Sequence, residues 1–175
     1  MLGAIRLSLA LLIVCGGIYP AVTTLVGQAA FNRQANGSLI TRADGTVVGS
    51  ELIGQTFDKN GYFHSRPSAA GPDGYNAAAS SGSNLGPTNK ILTDRVTGAA
   101  ADLVAENPSL RTMPADLLTT SASGLDPDIS IAAAVAQIPR VAKARSLAEA
   151  DIKALVDQKA IGPDLGLYAI GKREL

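Results

Sequence analysis

From Leu7 to Ala30 the only ionisable side chains are Cys15 and Tyr19. At about 1.5 Å of rise per residue, a helix of that length crosses a hydrocarbon core roughly 30 Å thick. Arg6 is the one charged side chain before it, and all fifteen acidic side chains follow it. This contrast predicts a membrane anchor over residues 1–31 and one soluble domain over residues 32–175. The fold class expected is α+β, with a long loop region in the soluble domain.

Positive residues flanking a membrane segment favour the cytoplasmic side. Arg6 and the initiating amine precede the stretch, and the first charge after it is Arg33. The N-terminus is therefore expected inside and the domain outside. A cleaved signal peptide is the competing reading, with Gly27-Gln28-Ala29 as a cleavage site. Apolar character running past Tyr19-Pro20 to Val26 is long for a signal core. Gly16, Gly17 and Pro20 lie mid-span, where Pro20 removes a backbone hydrogen bond and small residues admit a neighbouring helix. Simple tolerance of Gly and Pro in membrane helices explains them as well.

Fifteen basic residues balance fifteen acidic ones without a basic stripe, so no nucleic-acid partner is expected. Cys15 is the only cysteine and His64 the only histidine. The soluble domain thus has neither a disulfide nor a thiol nucleophile, and a zinc site is not expected.

Short β-prone runs, Ser38–Arg42 and Thr46–Val48, flank Asp44-Gly45 and predict a hairpin. Residues 60–89 are rich in Gly, Ser, Asn and Pro, and Tyr62, Phe63 and Tyr75 argue there for an ordered loop system over plain disorder. A helix is expected from a Thr88 cap to Glu106, stopped by Pro108. Leu117–Thr120 reads as a short strand. A helix follows over residues 131–144, capped by Ser130 and kinked or restarted at Pro139. Ser146 and Glu149 form a capping box for a last helix whose buried face is Leu147, Ile152, Leu155 and Val156, ended by Gly162.

Chemical motifs fail on context. Gly166–Lys172 matches part of a phosphate-binding loop, but Arg173 stands where the hydroxyl residue belongs and no helix can follow. Ser83 lacks the glycine of a nucleophile elbow, and no acid can be assigned to orient His64 as a base. His64 therefore reads either as a packed imidazole or as a contact residue. Ser80–Asn84 reads as a solvated loop or as an anion- or carbonyl-binding loop. Gln137, among apolar helix residues, reads as a buried amide bonded to neighbouring backbone. No catalytic residues are expected.

Longer segments carry a resemblance. They are Gln34–Ile40, Gly49-Ser50 with Leu52–Gln55 and Phe57, Asn60–His64 with Arg66–Ala69, Ser81–Leu85, Thr120–Asp126 and Gln137–Arg145. With Gly16-Gly17 and Tyr19–Ala21 in the apolar stretch, they resemble the C subunit of the bacterial Kdp potassium-transporting P-type ATPase. The likeness extends to about Ala160. The family usually ends in a β-prone run, whereas Leu165–Leu175 is short and broken by Gly166 and Gly171. A terminal strand pairing is therefore expected to be shortened or lost.

The resemblance implies a non-catalytic accessory subunit in the bacterial inner membrane, single-pass, with its domain periplasmic. Its implied partners are a potassium-binding channel-like subunit, the ATP-hydrolysing subunit, a small single-helix subunit and membrane lipid. It implies a domain capping the potassium entrance, with K+ carried by the complex and not bound by this chain. Tyr62, Phe63, His64, Arg66, Ser81, Ser83 and Asn84 would form contact surface, and Gly16, Gly17 and Pro20 would pack the membrane helix. The alternative it implies is a catalytic chaperone that raises ATP affinity, with Gln137 in the nucleotide role. An exported domain does not reach cytoplasmic ATP, so that role implies coupling at a distance.

Overall fold

The computed structural model describes residues 2–161. The chain divides between Glu51 and Leu52 into two compact units. Gly162, the Gly166–Lys172 segment and the terminal run Leu165–Leu175 lie outside the described residues.

The first unit begins with one helical run of 29 residues, Leu2–Ala30, none of it buried. It comprises α1 (Leu2–Ile13), a π-helical turn at Val14–Ile18 and α2 (Tyr19–Ala30). Pro20 has no N–H to give the preceding turn, and the wide turn just before it absorbs that loss. There the Tyr19 N–H bonds the Val14 carbonyl, and Gly16 and Gly17 lie within the widened segment. Pro20 therefore opens α2 without ending the run. Phe31 breaks the helical dihedrals before the short α3 (Asn32–Ala35).

The expected hairpin follows. Strands β1 (Leu39–Thr41) and β2 (Val47–Ser50) pair antiparallel, with an irregularity between Ile40 and Thr41. Its turn is closed by the Arg42 N–H on the Thr46 carbonyl and by the Asp44 carboxylate accepting the Thr46 N–H at 2.9 Å. An Arg33–Glu51 ion pair ties the hairpin to α3.

The second unit is built on two helices, α6 (Ile131–Arg145) and α7 (Glu149–Lys159). Ile129, Ala133, Ala134, Ile138, Val141 and Ala142 pack with Ile152 and Val156, and Phe63 and Leu117 flank this core. Ser130 caps α6 as expected, its Oγ accepting the Ala133 N–H at 3.0 Å. The helix then runs through Pro139 without restarting.

Four local expectations are corrected. The N-cap of α4 (Lys90–Glu106) is Asn89, whose side chain takes the Ile91 N–H, and not Thr88. Leu117–Thr120 forms no strand; Ala115–Leu118 is the one-turn helix α5 after Pro114. Asp116 in its first turn accepts both the N–H and the hydroxyl of Ser130, which ties α5 to the start of α6. Ser146 closes α6 instead of opening α7: at φ 56° its N–H bonds the Lys143 carbonyl while the Leu147 N–H bonds that of Ala142. Ala148 begins α7 without a side-chain cap. Finally, Ile152 and Val156 are buried, but Leu147 and Leu155 stay 48% and 46% exposed.

Residues 52–89 hold a lone bridge residue at Ile53 and a three-residue 3-10 turn at Ala77–Ala79, yet they are bonded to the segment 119–126. The Gly54 N–H meets the Leu125 carbonyl and the Ser81 N–H meets that of Ser123, both at 2.9 Å. The Ser68 hydroxyl donates to the Gly124 carbonyl, and Arg66 pairs with Asp126 at 2.8 Å. Glycine is required at two points of this seam. A Cβ on Gly54 would lie 2.5 Å from the Tyr75 ring, and one on Gly124 would lie 2.5 Å from the Ser81 carbonyl oxygen, at a φ of +66°.

Candidate functional site

Helix α6 presents two polar side chains to the loop at 60–66, three residues apart and on its buried face. Gln137 is 2% exposed, and all four hydrogen-bonding positions of its amide are used. Its Oε1 accepts the His64 N–H at 2.7 Å and the Arg140 Nη2–H at 2.6 Å. Its Nε2 donates to the His64 and Ala133 carbonyls, both at 3.2 Å. The amide thus pairs with the His64 peptide group as a neighbouring strand would.

Arg140 completes the clamp. Nε bonds Glu106 Oε2 at 2.9 Å, and Nη1 donates to the Asn60 and Tyr62 carbonyls at 2.8 and 2.9 Å. Its side chain is 8% exposed, so this buried guanidinium is stable only because each nitrogen has a partner and Glu106 supplies the countercharge. Nearer the surface, Arg145 Nε donates to the Gly61 carbonyl at 2.5 Å, and its guanidinium lies 5.1 Å above the Tyr62 ring. Tyr62 also meets Phe57, with ring centres 5.7 Å apart.

Two cavities flank the loop that the clamp holds, sharing Phe57, His64 and Ser65 in their walls. The larger, about 500 Å³, is open and polar, with His64, Arg66, Tyr75, Asp102, Glu106 and Gln137 in its wall. The smaller, about 260 Å³, lies between the 57–65 loop and the α6–α7 pair. His64 touches both, and its Nε2 is buried without a hydrogen-bond partner. Burial, and then the nearby Arg140 charge, hold the imidazole pKa below its ordinary 6.5, against opposing pulls from Glu106, the Lys59 backbone and Asp58. His64 is accordingly neutral at neutral pH. Burial likewise raises the Tyr75 phenol, whose hydroxyl donates to the Arg66 carbonyl at 2.8 Å.

The structure brings Tyr62, Phe63, His64, Arg66 and Gln137 together around these cavities. Ser81, Ser83 and Asn84 lie in the wall of neither; Ser81 joins the seam to Ser123, and Asn84 is exposed at a φ of 51°. In the first unit, Gly16 and Gly17 line a shallow groove with Leu12, Ile13, Ile18 and Ala21. Among the described residues, no group of three or more His, Cys, Asp or Glu side chains is placed to hold a metal ion.

Sequence reasoning missed Arg140, Glu106 and Asp126. A polar pair at i and i+3 within an otherwise apolar helix was the available signal for Arg140. Its partners Asn60 and Tyr62 are some eighty positions away, and no local pattern points to them.

One unit with an unburied apolar helix and a short hairpin, and a second, helical unit with loops clamped onto its core, define the class: an α+β chain with one helix long and apolar enough to cross a membrane. The chain belongs to the KdpC family, the c chain of a K+-transporting ATPase, whose family model matches residues 1–173. It is similar to the potassium-transporting ATPase KdpC subunit of Caulobacter vibrioides (strain NA1000 / CB15N), at 58% identity over 88% of this chain and 77% of that one. It is also similar to that of Paraburkholderia phytofirmans (strain DSM 17436 / LMG 22146 / PsJN), at 54% identity over 88% and 80%. The KdpC subunit of Gemmatimonas aurantiaca (strain DSM 14586 / JCM 11422 / NBRC 100505 / T-27) is 50% identical over 94% and 82%.

Proposed function

We propose that this chain is a non-catalytic subunit of a potassium-importing ATPase in the bacterial inner membrane. Its apolar helix docks among partner helices and lipid, and its soluble domain lies outside the cytoplasm over the potassium entrance. The partners in this reading are the potassium-binding channel-like subunit, the ATP-hydrolysing subunit and a small single-helix subunit. The observation that carries the proposal is the helix Leu2–Ala30, 29 residues long and unburied in the chain itself. Such a surface needs lipid or protein around it. A cap also needs a stiff outer face, and the loop bearing Tyr62, His64 and Arg66 is clamped by Gln137, Arg140 and Asp126.

Topology tests the reading. The change Ala79→Cys, in a Cys15→Ala background, gives one thiol on an exposed turn. Labelling by a membrane-impermeant maleimide in intact cells is expected; labelling only after lysis would overturn the cap. Arg66→Ala and Asn84→Ala are expected to weaken apparent potassium affinity or assembly.

A second role, raising the ATP affinity of the ATP-hydrolysing subunit through Gln137, has less support. The Gln137 amide spends its donors and acceptor lone pairs inside the domain and has none left for a nucleotide. Titration of the purified chain with ATP is expected to release no heat at millimolar nucleotide.

A further inference from the structure

The helical run Leu2–Ala30 carries its π-helical turn at its middle. In a regular α-helix the Cys15 carbonyl would accept the N–H four residues on, that of Tyr19. Here the Tyr19 N–H bonds the Val14 carbonyl instead. The residue five on, which a wide turn would use, is Pro20, and it has no N–H. Neither α nor π bonding therefore gives the Cys15 carbonyl a donor. One turn further along, the chain spends a hydroxyl on its own backbone: Thr23 Oγ1 donates to the Tyr19 and Pro20 carbonyls at 3.0 and 3.1 Å. Among the described residues, no side chain does the same for Cys15.

Residue 15 lies midway along the 29-residue run, so a spanning helix sets this carbonyl near the centre of the hydrocarbon. A backbone polar group without a partner is strongly disfavoured there, and neighbouring helices commonly supply the missing partner beside a membrane proline. The next two residues, Gly16 and Gly17, put no side chain beside it. They line a shallow groove with Leu12, Ile13, Ile18 and Ala21, where another helix can come close to the backbone.

We propose that the Cys15 carbonyl accepts a hydrogen bond from a hydroxyl or amide side chain of a neighbouring transmembrane helix, which belongs to another subunit of the ATPase and lies against Gly16-Gly17. This contact rests on the reading of the chain as a subunit of that complex and adds the chemistry its neighbour must carry. Three other occupants fit worse. Acyl chains fill a groove but bring no donor. A second copy related by two-fold symmetry would meet groove to groove, and none of the six lining residues has a hydroxyl or an amide side chain. Residues 162–175 include Asp164, Lys172, Arg173 and Glu174, whose charges are costly in hydrocarbon.

Cys15 is the only cysteine, so cysteine labelled with 13C at its carbonyl carbon marks this one peptide group. Infrared spectra are taken of the labelled full chain in bilayers, alone and after assembly with unlabelled partner subunits. The labelled amide I band is expected to move to lower wavenumber on assembly, as a carbonyl's does when it accepts a hydrogen bond. A band that does not move, or one already low in the chain alone, where only lipid, water or a second copy is at hand, would overturn the contact. Pro20→Ala supplies the missing N–H and should give a low band with or without partners; a band indifferent to this change would mean that Cys15 already had a donor. Gly17→Ile fills the groove, and because a Cβ there meets nothing of the chain itself within 4 Å, the helix keeps its fold. Retention of the other subunits on the tagged chain should then drop about tenfold or more, whereas Gly3→Ile, equally open but outside the groove, should keep it. Unchanged retention in Gly17→Ile would also overturn the contact. Co-purification of the other subunits with the unaltered chain reads membership separately, so an unmoved band with co-purification removes this contact alone, and absent co-purification removes the subunit reading with it.

Discussion

Gln137→Leu isolates the clamp. Leucine fills nearly the same volume, so the change removes hydrogen bonds and leaves no cavity. Two buried donors lose their acceptor, the His64 N–H at 2.7 Å and the Arg140 Nη2–H at 2.6 Å. The His64 carbonyl loses a donor as well. A stranded buried polar group costs about 1–3 kcal/mol, and His64 is only half-buried, so a loss of about 2–4 kcal/mol is expected. That is a large part of the roughly 5–15 kcal/mol by which a domain of this size is stable. With a urea slope of about 2 kcal/mol per molar, the midpoint should fall by about 1–2 M. Urea unfolding of the full chain in detergent, followed by far-UV circular dichroism, gives the midpoint. Amide hydrogen exchange should quicken at residues 60–66 before it does in α7. Gln137→Glu retains the acceptor for His64 and Arg140 but sets an oxygen against the His64 and Ala133 carbonyls, so it should fall between. An unchanged midpoint and unchanged exchange in Gln137→Leu would refute the clamp and return Gln137 to a functional contact.

Arg140→Met should lower stability by about 3–5 kcal/mol, because it strands Glu106 and two loop carbonyls; denaturant midpoints check this. Gly124→Ala places a Cβ against the Ser81 oxygen at a positive φ and should destabilise by about 1–3 kcal/mol, with faster exchange at 68–82 as the readout. His64 gives a pH dependence of known sign. Its folded pKa lies below 6.5, so on acidification the unfolded chain takes up the proton first. Stability is therefore whole above about pH 7 and declines as pH falls through 6.5 toward the lowered folded value. Midpoints measured between pH 7.5 and 5 should show this slope, and His64→Asn should remove its histidine component.

The elements legible in the chain are those whose signals lie within one turn or one hairpin. Asp44-Gly45 between two β-prone runs forms the hairpin, and Ser130 before an apolar-periodic run caps α6. Three of the readings that failed were choices between local options. Asn89 and Thr88 are both good caps, and it is the Asn89 side chain that accepts the Ile91 N–H. Ser146 could open α7 or close α6, and the left-handed close won because it satisfies carbonyls at the end of the longer, buried helix. Leu117–Thr120 had strand propensity but, among the described residues, no neighbouring strand to pair with, and the Asp116–Ser130 bonds hold it against α6 as a helical turn.

An uncharged apolar run and its length were sufficient by themselves to set one long apolar N-terminal helix, and the near absence of cysteine and histidine set aside disulfide and zinc chemistry for the rest. Those properties depend on composition along the backbone. Three-dimensional contacts alone decided that Gln137 and Arg140 hold a loop some seventy to eighty residues away, and that Leu147 and Leu155 are left at the surface beside Tyr62 and Phe57. Hydrogen bonds at such separation leave no periodicity in the sequence, and whether an apolar side chain is covered depends on neighbours that only the folded chain supplies.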